Sequence, residues 1–200
     1  MGLSQPHLLG IEPLSVDDIN HILEVADNYA NQLDKGNFQS DILKGKIILT
    51  LFFENSTRTR TSFEIAARRL GAEVVHWDVS TSSLAKGENF NDTIKNLSAM
   101  QPDAIIVRHR GFGAPHTIAT MVDCPVINAG DSWNEHPTQA LLDALTIKRR
   151  LGKLEGLNIA ICGDIAHSRV AGSNMRSLTK LGANVRIVAP PALMPEKFPV

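Results

Sequence analysis

Two hundred residues, 43% of them hydrophobic, suffice for one sizeable core or two small ones and exclude a peptide-sized module. Twenty Lys+Arg stand against 21 Asp+Glu for a net charge of -1, so there is no global basic field to gather nucleic acid or an anionic membrane surface. Two cysteines, Cys124 and Cys162, lie in apolar runs and read as buried thiols of a reducing compartment, which makes the cytoplasm the expected location and excludes a disulfide framework.

The segment Met1 to Gly10 lacks the basic-then-apolar pattern of a leader, and no stretch approaches the roughly 18 apolar residues of a membrane helix. Ser15-Val16-Asp17-Asp18 has the form of a capping box, after which Ile19, Ile22, Leu23, Ala26, Ala30 and Leu33 recur at helical spacing as far as Gly36. The continuous apolar run Ile47 to Phe53 predicts a strand covered on both faces in a parallel sheet. A polar turn, Glu54 to Thr57, leads to a helical face of Phe63, Ala66, Ala67 and Leu70 ended by Gly71, and Glu73 to Trp77 begins the next strand. The alternation continues with a helix near Asp92 to Met100, a strand from Ala104 to Val107, a short helix near His116 to Met121 and a strand from Val126 to Ala129. Pro137 then opens a helix that runs to about Leu151.

A second unit begins with Leu157 to Cys162, followed by the loop Gly163 to Ser168, a helix to Leu181 and a strand from Val185 to Ala189. The expected fold class is α/β: a parallel-sheet domain over residues 1–152, its closing helix included, then a Rossmann-like α/β domain of which residues 153–200 form the start. Two strands are too few for an independent sheet of this kind, so the second unit is expected to be truncated.

Ligands of parallel α/β sheets sit beyond the carboxyl ends of the strands, and the residues there are consistent. The strands lead into Ser56-Thr57-Arg58-Thr59, Arg108-His109-Arg110, Asn134 to Gln139, and Asp164 to Arg169. Ser56 to Thr59 has the ingredients of an oxyanion cradle: backbone N–H groups at a helix start, hydroxyls and a cation. The plainer reading is that Ser56 or Thr57 only caps the helix. If the segment is helical, Arg58 and Arg60 point about 200° apart, which assigns Arg58 to a ligand and Arg60 to an ion pair with Glu64, a partner Arg68 could share. His136, just before Pro137 at a helix start, is expected to be a neutral ring because the helix dipole disfavours the imidazolium. Gln139 either binds a small amide or caps the helix. His109, His116 and His136 lack the spacing of zinc ligands, and no Gly-rich phosphate loop or nucleophile elbow occurs, so metal, nucleotide and acyl-serine chemistry have no support. Lys86 sits in the long polar segment Ser80 to Asn89, as a solvated surface residue or a functional one.

The run FFENSTRTRTSFE, Phe52 to Glu64, resembles the carbamoyl-phosphate signature of the aspartate and ornithine carbamoyltransferases. The Ser82-Ser83-Leu84-Ala85-Lys86-Gly87-Glu88 loop, Val107-Arg108-His109, His136-Pro137-Thr138-Gln139 and Gly163-Asp164 through Arg169 agree with it, and the resemblance covers the chain in order. His-Pro-Thr-Gln and the lysine loop resemble the aspartate branch; an ornithine enzyme is the nearest rival, and a non-catalytic anion-binding remnant is the alternative from another class.

The resemblance implies transfer of a carbamoyl group from carbamoyl phosphate to the α-amine of L-aspartate, in de novo pyrimidine biosynthesis, with no metal or cofactor. Ser56, Thr57, Arg58 and Thr59 would bind the phosphate, Thr59, Arg108 and His136 would polarise the carbonyl, Gln139 would hold the carbamoyl NH2, and Arg169 would grip aspartate. Lys86, with Ser82 or Ser83, would reach the active site of a neighbouring subunit in a homotrimer. Regulatory or dihydroorotase chains associate with some members, and this sequence leaves that open. The family's later aspartate-binding segment is absent after Val200, so the 200 residues are expected to bind the phosphate substrate with weak or no turnover.

Overall fold

The computed structural model describes residues 2–36, 38–78 and 89–196. Helix α1 (Val16–Asp34) starts at the expected capping box, in which the Ser15 hydroxyl accepts from the Asp18 N–H and the Asp18 carboxylate accepts from the Ser15 N–H, both at 3.0 Å. Strand β1 (Ile47–Phe52), helix α2 (Thr57–Arg69) and strand β2 (Glu73–Asp78) form the first βαβ unit. Helix α3 (Phe90–Ala99), strand β3 (Ala104–His109), helix α4 (Ala114–Ala119), strand β4 (Val126–Asp131) and helix α5 (Pro137–Leu151) complete the first alternation. Strand β5 (Asn158–Cys162), helix α6 (Arg169–Lys180) and strand β6 (Asn184–Val188) follow, and a short 3-10 helix covers Pro191–Leu193. The departures from the predicted elements are small: α2 begins at Thr57, the last residue expected in the turn, and β3 and β4 each run two residues beyond their expected ends.

Four strands form a parallel sheet in the order β2-β1-β3-β4, and β5 and β6 pair separately in parallel. The chain leaves β1 toward β2 on one side and returns to β3 on the other, so the sheet reverses its winding between β1 and β3. The crevice at such a reversal is where this architecture places ligands. The register Phe52↔Arg108 brings the loop after β1 beside the last residues of β3.

Alternate residues of the central strands serve opposite faces, as the unbroken apolar run implied. Leu49, Leu51, Ile105 and Val107 pack with Ile94 of α3 and Ile118 of α4, whereas Ile48, Phe52 and Ile106 pack with Ala67 of α2. A further cluster joins Ile19 and Leu23 of α1, Ala140 and Ala144 of α5, and Leu178 of α6. That packing carries the start of α6 to the rim of the first sheet.

The amino-terminal segment has a structural task that its sequence did not announce. The Leu8 N–H donates to the Val126 carbonyl and the Leu8 carbonyl accepts from Asn128 N–H, both at 2.9 Å, so the segment covers the free edge of β4. The expectation of two buried thiols is wrong: Cys124 is half-buried and Cys162 is exposed. Strand β5 alternates exposed and half-buried positions, and Cys162 falls on the face that α6 does not cover. Among the described residues, no helix is long and apolar enough to cross a membrane.

Ile105 is fully buried at the centre of the sheet and Ile42 is 68% exposed. Ile105→Ala should therefore lower unfolding free energy by about 2–5 kcal/mol, from lost burial plus a cavity, whereas Ile42→Ala should stay within about 0.5 kcal/mol. Urea denaturation followed by far-ultraviolet circular dichroism checks both.

Candidate active site

A cavity of about 870 Å³ opens at the carboxyl ends of β1, β3 and β4. Its first wall is the start of α2. Ser56 is the N-cap residue but makes no side-chain capping bond, so the plainer reading of Ser56 is not realised and its hydroxyl remains available to a ligand. The first intrahelical bond is donated by the Arg60 N–H to the Ser56 carbonyl at 3.1 Å, which leaves the preceding N–H groups of the helix start without intrahelical acceptors. Ser56, Thr57, Arg58 and Thr59 all line the cavity. Among the described residues Arg58 forms no ion pair, whereas Arg60, on the opposite side of the helix, pairs with Glu64 at 3.6 Å and meets His76 Nε2 at 3.0 Å. The second pairing that spacing allowed, Arg68 with Glu64, is not formed.

Arg108 and Arg169 supply the second wall, and one carboxylate lies between them. Glu54 Oε1 accepts from Arg108 Nε at 2.6 Å and is 3.0 Å from an Arg169 guanidinium nitrogen. Burial pushes Glu54 up, but its bonds to Arg169 and Arg108 outweigh that and hold it below the usual carboxylate range. Arg108 also donates to Thr59 Oγ1 at 3.4 Å and to the Ala129 carbonyl at 3.2 Å. Burial first, and then the Arg169 charge, push the Arg108 pKa down, against the opposing pull of Glu54.

The approach of the two guanidiniums depends on a glycine. Gly130 has φ +117°, and a Cβ there would lie 2.9 Å from an Arg169 guanidinium nitrogen and 3.2 Å from an Arg108 one. The next residue, Asp131, is fully buried and ties down the loop that follows. Its carboxylate accepts from Asn128 Nδ2 at 2.9 Å, Gly113 N–H at 2.9 Å, Asn134 Nδ2 at 3.1 Å and Glu135 N–H at 3.2 Å.

That loop delivers His136 to the third wall. Its N–H donates to Ser173 Oγ of α6 at 2.8 Å, and the Ser173 hydroxyl in turn donates to the buried Glu135 carboxylate. The ring is 7% exposed and its pKa is driven down to about 4, mainly by burial and then by the Arg108 and Arg169 charges. The neutral ring expected from sequence is present, but the cause is desolvation and cationic neighbours rather than the helix terminus alone. Gln139 also faces the cavity; its NH2 group donates to Asp143 Oδ1 at 3.0 Å, so it does not cap the helix.

All eight cavity residues singled out in the described part of the sequence therefore meet: Ser56, Thr57, Arg58, Thr59, Arg108, His136, Gln139 and Arg169. His109 does not join them, being packed at centroid distances of 4.7 Å from Phe53 and 5.6 Å from Phe90. Ser82, Ser83 and Lys86 lie outside the described residues. Glu54, Gly130 and Asp131 were missed; Glu54 stands next to the cradle in sequence, but the arginines that share it, Arg108 and Arg169, lie far along the chain and give no local signal. Among the described residues no group of three or more His, Cys, Asp or Glu side chains could hold a metal ion.

Comparison with known proteins identifies the family. Residues 6–149 match the family model for the aspartate/ornithine carbamoyltransferase carbamoyl-P binding domain. The aspartate carbamoyltransferase catalytic subunit of Acidiphilium cryptum is 55% identical over 195 residues, covering 98% of this chain and 63% of the relative, and that of Rhodospirillum rubrum is 57% identical over 189 residues, covering 94% and 59%. The crystal structure of aspartate transcarbamoylase from Trypanosoma cruzi in complex with carbamoyl phosphate superposes with a TM-score of 0.89 at 37% identity, over 97% of this chain and 60% of that one. The catalytic subunit of the M. Jannaschii enzyme gives 0.85 at 40%, over 96% and 63%. The chain thus spans about three fifths of the length of its curated relatives. It belongs to the aspartate/ornithine carbamoyltransferase family.

Proposed function

We propose that this cavity binds carbamoyl phosphate and serves transfer of its carbamoyl group to the α-amine of L-aspartate, yielding N-carbamoyl-L-aspartate and phosphate for pyrimidine synthesis. The observation that carries the reading is charge: among the described residues Arg58, Arg108 and Arg169 converge on the cavity, and the Glu54 carboxylate is the one paired with two of them. The surplus of two positive charges matches a phosphate dianion. One such charge pair at 4 Å contributes about 4 kcal/mol at an effective dielectric near 20, before desolvation. The hydroxyls of Ser56, Thr57 and Thr59 and the free N–H groups at the start of α2 complete a cradle of donors.

The chemistry follows from what surrounds that anion. When the amine attacks the carbamoyl carbon, negative charge collects on the carbonyl oxygen, and Thr59, Arg108 and neutral His136 act as donors to it. The C–O bond to phosphate then breaks, the phosphate leaves with the bonding electrons, and the departing anion accepts the amine proton. No protein nucleophile is required, so positioning and electrostatics carry the acceleration. Arg169, which opens α6, meets the aspartate carboxylate, and Lys86 with Ser82 or Ser83 completes the site of a neighbouring subunit in a cytoplasmic homotrimer. The names of the aspartate carbamoyltransferase relatives support aspartate over ornithine as the acceptor.

Calorimetry with inorganic phosphate tests the cradle. Arg58→Ala should weaken binding roughly ten- to a hundredfold, the loss of one charge-assisted contact, and equal affinity in the two proteins would remove Arg58 from the site.

The ring of His136 should titrate near 4 in two-dimensional nuclear magnetic resonance spectra. Its folded pKa lies below the ordinary value, so the stability gained by burying the neutral ring is complete above about pH 6.5 and is lost as pH falls from there toward 4. His136→Gln should flatten that limb of the stability curve. In a full-length enzyme His136→Ala should slow turnover roughly a hundred- to a thousandfold while phosphate affinity changes little.

A further inference from the structure

We propose that Asp143, outside the ligand cradle, fixes which end of the Gln139 amide meets the ligand and so makes the cavity select an NH2 group over a methyl group of the same size. This rests on the reading of the cavity as a carbamoyl phosphate site and deepens it.

Gln139 and Asp143 stand one helical turn apart on α5, and Asn174 faces them from α6. The two oxygens of Asp143 are divided between two amides. Oδ1 accepts from Gln139 Nε2 at 3.0 Å and Oδ2 accepts from Asn174 Nδ2 at 2.7 Å. An ionised carboxylate only accepts, so each amide must turn its NH2 group toward Asp143 and its carbonyl away. Turning either amide over would set oxygen against oxygen in a half-buried place. Among the described residues the buried Asn174 carbonyl oxygen has no hydrogen-bond partner, a cost offset by the bond that holds the NH2 end.

The consequence reaches the ligand through Gln139. Its carbonyl accepts no hydrogen bond among the described residues, and its side chain lines the cavity. The end offered to a bound molecule is therefore an acceptor. A carbamoyl NH2 satisfies it; a methyl ketone leaves it bare, and a site built to bond an N–H discriminates against the analogue that lacks one. Without Asp143, Gln139 could present either end, and an NH2 group would meet an NH2 group in part of the population. Asp143 is thus a positioning residue that acts through Gln139.

Three probes separate the possibilities on the 200-residue chain by calorimetry: inorganic phosphate, phosphonoacetamide and 2-oxopropylphosphonate, the last two differing only in NH2 against CH3. The wild type should prefer the amide. Asp143→Ala should shrink that preference roughly two- to tenfold, the worth of one hydrogen bond, while phosphate still binds. Removing a negative charge near the cavity shifts the affinities of all three anions together and leaves the ratio to report the amide. Asn174→Ala keeps the charge, frees one oxygen of Asp143 and should move the ratio less, in the same direction. In a Gln139→Ala background, where no amide remains to orient, Asp143→Ala should shift all three affinities together and leave the ratio unchanged. A ratio unchanged by Asp143→Ala and by Asn174→Ala, with phosphate bound, overturns the proposal and leaves the cradle standing. A wild type that binds no phosphate overturns the reading of the cavity itself.

Discussion

Two guanidiniums, one from the end of β3 and one from the start of α6, are held side by side by the Glu54 carboxylate that lies between them. Like charges do not gather without cause. A single carboxylate compensates one of the two, and the remainder of the field, with Arg58 added across the cavity, falls on whatever occupies it. The same bridge joins the first sheet to the second βα unit, because Glu54 follows β1 and Arg169 opens α6. The position of the site is thus a property of packing between two units, reinforced by the cluster that unites α1, α5 and α6.

Backbone conformation sets how close these charges come. Gly130 gives β4 a turn that a side chain would both strain and obstruct, and Asp131 then spends its carboxylate on four donors to close the loop leading to His136. Neither residue touches the ligand-facing hydroxyls. Their effect is geometric: they let Arg108 bond the Ala129 carbonyl and bring the His136 N–H to Ser173.

The alternation of strands and helices was legible in the sequence because parallel strands are covered on both faces and so read as unbroken apolar runs, as Ile47 to Phe52 does. The cavity residues were legible for a related reason: they follow strands, and polar residues at the carboxyl ends of buried strands have few other uses. What escaped notice was what has no periodic signature. Glu54 gains its meaning only from two arginines 54 and 115 positions later; Gly130 gains its from a φ angle; Leu8 gains its from a strand edge 118 residues away. The error over Cys162 is of the same kind, since an apolar neighbourhood in sequence does not say which face of a two-stranded sheet is covered.

His136 shows how the parts constrain one another. A protonated ring in this cavity would add a further positive charge to three arginines, and burial as well as Arg108 and Arg169 oppose it. Binding of a phosphate dianion removes much of the cationic pressure, and that alone would let the ring take up a proton. Burial is the larger cause, however, and a bound ligand deepens it by excluding water. In the proposed reaction a neutral ring would serve as a donor while the carbonyl oxygen gains charge, and among the described residues Arg58, Arg108 and Arg169 would be the cations that face the departing phosphate. Neutrality at His136 and cationic surplus at Arg58, Arg108 and Arg169 are complementary in that reaction: desolvation holds the ring uncharged, and the convergence of three guanidiniums on one cavity supplies the surplus in spite of it.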